Sequence, residues 1–370
     1  MIANTDLEQA ISAVDETAVE VDATGTFPRR SIQALGGAGV LGLTVSAELG
    51  GGGEGMRAAA AVIERLARSC ASTAMVTLMH YCATAVLEAH GPAAVRREIA
   101  AGRHLTTLAF SEVGSRSQFW APLSTATAGG SGVRLDARKS WATAAGEADS
   151  YVWSSRPVAA DGASTIWLVP ASAAGLDVSG GFDGLGMRGN SSKPITARGV
   201  EVPPDAMLGP DGGGFDVMMG IVLPWFQVLS AASSLGIAEA AIGRTVAHAV
   251  ATRYEHLDQS LAAQPLTRVH IARMRLAADQ ARGLLLDTLT AVESGREDAM
   301  LRVLEVKPAA SEAVLTVTDL AMRVCGGAAF RREVGVERNF RDARAASVMA
   351  PTTDALLDFI GRATCGLPLF

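Results

Sequence analysis

Lys139-Ser140-Trp141-Ala142-Thr143-Ala144 sets an indole and a hydroxyl two residues apart in a run that alternates like a strand. Together they offer an aromatic wall and a hydrogen-bond donor. A core Trp of a β domain reads the same way. Upstream, Phe110-Ser111-Glu112-Val113-Gly114-Ser115-Arg116-Ser117 closes another strand-like run. Its N–H groups and hydroxyls suit the oxygen-rich edge of a ligand, and equally an ordinary polar turn. Near the C-terminus, past Gly326-Gly327, Arg338, Arg341 and Arg344 recur every three residues, with Asp342 among them. This spacing puts three fixed positive charges on one helix face. The plain reading is a solvated basic face. The helix then meets Met349-Ala350-Pro351-Thr352, where Pro351 lacks an N–H and disfavours helix at Ala350, so the chain turns. Thr353 or Asp354 then caps a last helix, apolar at Leu356, Leu357, Phe359 and Ile360.

Three regions position these groups. Residues 5 to about 104 read as helices, interrupted by the glycine-rich ELGGGGEG (residues 48–55), a flexible turn. His80 lies in a strongly apolar, Ala-rich helix and reads as a satisfied core histidine. Residues 105 to about 209 alternate on a period of two and are rich in Thr, Val, Gly and Ser, with turns at Gly129-Gly130 and Asp161-Gly162. From Gly213 the helical pattern returns in long stretches at 215–252, 265–294 and 298–324. The order is α–β–α, with domains expected at 1–104, 105–212 and 213–370.

The chain has 370 residues, too many for one typical core. Its 49% hydrophobic and 19% charged composition is that of a globular protein with a large core. A net charge of −6 gives no electrostatic case for nucleic acid or an anionic membrane. Local basic clusters suit a phosphate-bearing small molecule better than a polymer. The four cysteines are scattered without a CxxC pair, which suggests neither a metal site nor a disulfide framework and fits a reduced, cytoplasmic compartment. The polar, acidic N-terminus does not read as a signal peptide, and no membrane span is expected.

Five motifs, in order and spacing, resemble those of the acyl-CoA dehydrogenase family over nearly the whole chain. FSEVGSRS resembles the family's TEPGAGSD turn, KSWAT its KxWIT strand, and GLGMRGNSS followed by VEVP its GMRxSxT and VxVP segments. Gly209 and the glycines 212–214 resemble its route into the helical bundle, and GG…VERNFRDAR its C-terminal GG and RDA helix. The resemblance implies an α+β fold: an N-terminal helical domain, a middle β-barrel and a C-terminal four-helix bundle. It implies FAD as cofactor, with Phe110, Ser111, Ser117, Trp141 and Thr143 toward the flavin ring. Arg253, Arg323, Gly326 and Gly327 are implied toward the pyrophosphate and adenosine, and Thr352 on the loop that follows. A flavin shared across an interface implies a homodimer or homotetramer. The implied partners are a small-molecule substrate, an acyl-CoA or acyl-carrier thioester, and an electron-transfer flavoprotein or flavin reductase.

The chain departs from this pattern where the proton chemistry lies. Relatives carry Tyr-Glu-Gly-Thr, whose Glu removes the substrate α-proton. Here the run is Met349-Ala350-Pro351-Thr352. The family's second position for that Glu falls near Phe226, and Pro224 and Gln227 stand where many relatives have Asp and Arg. Arg116 stands where they have Gly, and YEHLDQ after Arg253 departs from the usual KxFG. Asp354, four residues past Ala350, is the candidate substitute base, with Thr143 at the reactive flavin edge. Three readings follow. The first is dehydrogenation of the CH–CH group of an acyl thioester with a non-standard base. The second is a flavin-dependent monooxygenase using reduced flavin and O2. The third is a non-catalytic partner subunit of a hetero-oligomeric dehydrogenase.

Overall fold

The computed structural model describes residues 4–115, 118–130 and 132–369. Helices come first: α1 (Asn4–Thr24), α2 (Arg29–Gly37), α3 (Met56–Ser69), α4 (Ala71–His90) and α5 (Ala93–Ala100). Seven strands follow: β1 (Thr106–Ala109), β2 (Thr125–Gly129), β3 (Gly132–Ala142), β4 (Ser150–Ser155), β5 (Thr165–Pro170), β6 (Leu176–Val178) and β7 (Lys193–Val202). Helix returns with α6 (Gly214–Val217), a π-helical turn (Met218–Val222) and α7 (Leu223–Ala251). A small hairpin, β8 (Arg253–Tyr254) with β9 (Gln259–Ser260), precedes α8 (Pro265–Ser294), α9 (Ala299–Cys325), α10 (Val336–Ala343), α11 (Ala345–Val348) and α12 (Thr353–Thr364). The α–β–α order read from periodicity is the order observed.

These elements form two compact bodies: residues 1–59, 72–184 and 188–226, and residues 60–71, 185–187 and 227–370. In the first, the expected barrel takes the form of two sheets. One is β1-β4-β5, with β1 parallel and β5 antiparallel to β4, and its strands are almost wholly buried. The other is antiparallel, in the order β2-β3-β7-β6. An isolated bridge, Glu112 to Lys139, extends pairing to the segment after β1. Trp153 and Trp167 fill the core of the first sheet.

His80 ties the helices to β1. Its Nε2 donates to Leu41 O (3.0 Å), and its Nδ1 accepts from Thr106 N–H (3.1 Å). Burial pushes its pKa down to about 4, so the ring is neutral and satisfied. The glycine run after Glu48 is not the flexible turn expected. Gly52, Gly53 and Glu54 donate to Gly42 O, Val45 O and Leu43 O, and a Cβ at Gly51 would lie 2.2 Å from Val45 O. These glycines permit a close backbone approach.

In the second body an ion network clamps three helices. Arg282 reaches Glu64 of α3 (2.7 Å) and Glu239 of α7 (3.0 Å), and Arg275 reaches Glu239 (2.7 Å). Residues 214–251 and 299–330 are long and apolar enough to cross a membrane by length and composition. The most apolar window of the first is 78% buried within the protein, as in a bundle helix.

Candidate functional site

Strand β3 carries the most informative residues of the first body. Its alternation turns Val133, Leu135, Ala137 and Lys139 inward. Continued, that alternation would bury Trp141 as well. It does not, because Lys139 pairs with Ile195 and Ala142 with Lys193: β3 holds one extra residue. This β-bulge re-aims the side chains beyond it. Trp141 is left 70% exposed, at φ +56°, a conformation in which a bulky residue is an outlier. Ala144 (φ +57°) and Ser191 (φ +53°) share that left-handed region. Ala144 N–H donates to Asn190 O, Ala145 N–H to Ser191 O, and Ser191 Oγ to Ala145 O. Thr143, buried, shares a hydrogen bond with Ser192 Oγ (3.3 Å). Strained residues stitched together in this way persist only where the surroundings over-determine them, commonly at ligand sites.

Ser111 joins the cluster through its carbonyl, which accepts from Ser140 N–H (2.9 Å). Phe110 is buried and stacks on Phe119, so it supports the strand end by packing. Ser117, and Arg116 beside it, lie outside the described residues. Beneath Ser111 is a feature missed from sequence. Lys139 Nζ donates to Glu112 Oε1 (2.6 Å), Ser154 O (2.6 Å) and Ser154 Oγ (2.9 Å), with both charged side chains fully or almost fully buried. Glu112 Oε2 accepts from Leu123 and Ser124 N–H (2.6 and 2.9 Å), and Ser124 Oγ donates to Oε1. Burial pushes Lys139 down to about 8 despite the carboxylate. The signal was present: the period of two put Lys139 on the buried face, where a charge demands a partner.

In the second body the arginines of α10 are not a solvated face. Arg338 donates to Ser69 O (3.2 Å), Arg341 pairs with Glu337 and donates to Leu185 O, and Arg344 packs over the Phe340 ring at 4.0 Å. Buried Asp342 accepts from Met187 N–H (2.6 Å). A Cβ at Gly186 would lie 2.4 Å from Arg341 O, so a glycine is needed there. The Asp of the RDA run and the second glycine of GLGM thus form one backbone lock.

The loop after α11 is held from below. Lys307, buried in mid-α9, donates from Nζ to Met349 O (2.8 Å) and Pro351 O (2.6 Å), the carbonyls on either side of Ala350. Thr352, rather than Thr353 or Asp354, is the N-cap of α12. Its Oγ1 accepts from Ala355 N–H (3.4 Å), because Pro351 delivers extended backbone at Thr352. Asp354 is exposed in the first turn, where its charge favours the helix N-terminus. Arg253 is exposed and bound to Asp258 (2.5 Å), and Arg323 is exposed and bound to Asp319 (2.8 Å). Gly326 (φ +55°) and Gly327 are exposed just beyond α9. These contacts are local, and none joins Arg253 to the glycine pair.

Burial pushes the Lys307 amine from 10.5 down to about 7. Between those values the unfolded chain binds the extra proton, so this group makes stability rise with pH across that window. Lys307→Met should remove the dependence. The stability of wild type relative to the variant is expected to grow from about pH 7 to about pH 10 and to stay level below 7. Urea melts of both proteins across that range measure it; a pH-independent difference would show an amine that does not titrate there.

Residues 7–102 match the acyl-CoA dehydrogenase N-terminal domain, and residues 212–365 match the acyl-CoA dehydrogenase C-terminal domain. The chain belongs to the acyl-CoA dehydrogenase family. Its acyl-CoA dehydrogenase homologues are FAD-dependent oxidoreductases. Human "Short-chain specific acyl-CoA dehydrogenase, mitochondrial" is 29% identical over 350 residues, covering 91% of this chain and 82% of that protein. The butyryl-CoA dehydrogenase of Megasphaera elsdenii shares the fold with a TM-score of 0.89 at 21% identity, covering 99% of each chain. TdsC from Paenibacillus sp. A11-2, solved with FMN and indole, shares it with a TM-score of 0.88 at 22% identity, covering 99% of this chain and 98% of that one. Residue 350 carries only a methyl group.

Proposed function

We propose that the protein is an FAD-dependent oxidoreductase acting on the CH–CH group of an acyl thioester. One observation carries the reading: in a chain of this family, a bulge leaves Trp141 exposed and strained, with the Thr143 hydroxyl two residues on. An exposed indole beside hydroxyl and backbone donors fits a flat ring with hydrogen-bonding edges, which is the chemistry of a flavin. Bound there, the flavin supplies the hydride-accepting ring. Trp141 would cover the ring, and Thr143 and Ser111 would meet its polar edge. Arg253, Arg323, Gly326, Gly327 and Thr352 would serve the rest of the cofactor.

The α-proton is the difficulty, because Ala350 has no atom to accept it. A positioned base is worth about 10²–10⁴-fold. Asp354 is the carboxylate we assign to the task, and the reaction should be slow. A second reading, a monooxygenase using reduced flavin and O2, is favoured by Ala350 itself, since that chemistry needs no base at this position. Electrons would leave to an electron-transfer flavoprotein or arrive from a flavin reductase. A reducing, cytoplasmic setting agrees with four free thiols. Exposed apolar side chains on α8 (Leu266, Val269, Leu276, Leu286) and at Phe330 favour at least a dimer.

Anaerobic mixing of the flavin-loaded protein with a panel of acyl-CoAs tests the proposal. Bleaching of the flavin band by at least one thioester is expected, and Asp354→Asn should slow it by at least ten-fold. No bleaching by any chain length, with hydroxylation of an added phenol or indole when NADH, a reductase and O2 are supplied, would move the assignment to the monooxygenase.

A further inference from the structure

Residues 349–352 connect α11 to α12 and lead directly into Asp354 on the first turn of α12. A connection of this kind is ordinarily among the more mobile parts of a fold. Here two side chains of α9 hold it. Lys307 Nζ donates to Met349 O (2.8 Å) and Pro351 O (2.6 Å). Ser311 Oγ donates to Ala346 O (3.2 Å), in the short helix that enters the connection. Lys307 and Ser311 stand at i and i+4, on one face of α9, and both are 0% exposed.

The hold passes on to α12. Lys307 fixes Pro351 O, and the next residue, Thr352, starts the helix. Its carbonyl accepts from Leu356 N–H (3.0 Å) and its Oγ1 from Ala355 N–H (3.4 Å). Asp354 lies between Thr352 and these two donors in the chain, so its place follows from where residue 351 is held. Stability alone does not call for a lysine beneath this loop. Burial pushes the amine down to about 7, a desolvation cost that an apolar side chain of similar length would not carry. The amine instead supplies two hydrogen bonds aimed at carbonyls two residues apart, and these select one loop shape out of many.

Resting on the reading of Asp354 as the base, we propose that Lys307, helped by Ser311, is a positioning residue of the reaction: it touches no reacting atom and sets the place of the carboxylate that does.

The test uses the flavin-loaded wild type, Lys307→Met, which nearly conserves length and removes the donors, and Ser311→Ala. Two quantities are measured. One is amide hydrogen exchange at Met349, Ala355 and Leu356, whose N–H groups bond to Ala345 O, Thr352 Oγ1 and Thr352 O, with Arg296 at the end of α8 as control. The other is anaerobic flavin reduction over a range of butyryl-CoA concentrations. In Lys307→Met the three amides should exchange at least about ten-fold faster, with Arg296 unchanged. Its limiting reduction rate should fall by about 10–100-fold, the size expected of a misplaced group, while half-saturation moves less than about three-fold. Ser311→Ala should shift both quantities in the same direction by about two- to five-fold, and it decides the matter alone if Lys307→Met does not fold. Unchanged exchange at the three amides would overturn this inference alone. So would faster exchange with an unchanged limiting rate, which would leave Lys307 a structural group only. A wild type that no thioester reduces would overturn it together with the substrate reading.

Discussion

Replacing Ala350 with Glu is expected to raise the rate of flavin reduction by an acyl-CoA by about 10²–10⁴-fold, the contribution of one positioned base. The backbone at this position is already held. Lys307 anchors the carbonyls of Met349 and Pro351, and Thr352 caps α12 directly behind them. Residue 350 is half-buried, so a carboxylate there is partly desolvated, which raises its pKa toward the range of a useful base. The measurement is anaerobic stopped-flow reduction of wild type and variant by acyl-CoAs of several chain lengths. The FAD content and thermal midpoint of each protein should be recorded alongside. A gain means that the chain still presents a substrate α-carbon to this loop. With FAD content and fold intact, no gain at any chain length would mean that the loop no longer faces such a carbon, and would favour the monooxygenase.

The second large effect is expected at the ion pair beneath Ser111. Glu112→Gln leaves the Lys139 ammonium buried beside Ser154 without its carboxylate. Breaking a buried pair from one side costs about 3–5 kcal/mol. Lys139→Met strands Glu112 in the same way and should cost a similar amount. The double variant should recover most of the loss, because two neutral groups carry no uncompensated charge. Equilibrium denaturation of the four proteins closes the cycle. The Glu112→Gln loss should also shrink as pH rises toward about 8, the folded pKa of Lys139 with its carboxylate, and level off above it, where the amine is neutral in both proteins. Flavin content should fall in both single variants, because this pair anchors β3 just before the bulge that presents Trp141. Additive losses with no pH dependence would reduce the pair to a surface-like contact.

Much of this protein was legible residue by residue. Local backbone chemistry bounds α8, with Pro265 at its start and a left-handed Gly295 just past Ser294. The same chemistry ends the helix before Pro351. The period of two marked the strands between 105 and 209, and the burial of His80 followed from its apolar neighbours. Motif order was enough to name the family and to show that residue 350 cannot act as a base. All of these are properties of short stretches, where dihedral preference and hydrophobic period dominate.

The tertiary structure decided what depends on partners far along the chain. Trp141 read from its own stretch either as an aromatic wall or as a core Trp; the bulge against β7, some fifty residues on, turned it out to solvent. Asp342 read as one charge in a basic helix, whereas it holds the N–H of Met187, 155 residues away. Lys307 had no visible role until the fold brought the carbonyls of 349 and 351 to its amine. Gln227 read only as a missing arginine, and its unpartnered amide became visible once burial was known. In each case the local sequence sets which group is offered. Burial and the meeting of distant segments set what that group must bond to, and no period in the sequence encodes that meeting.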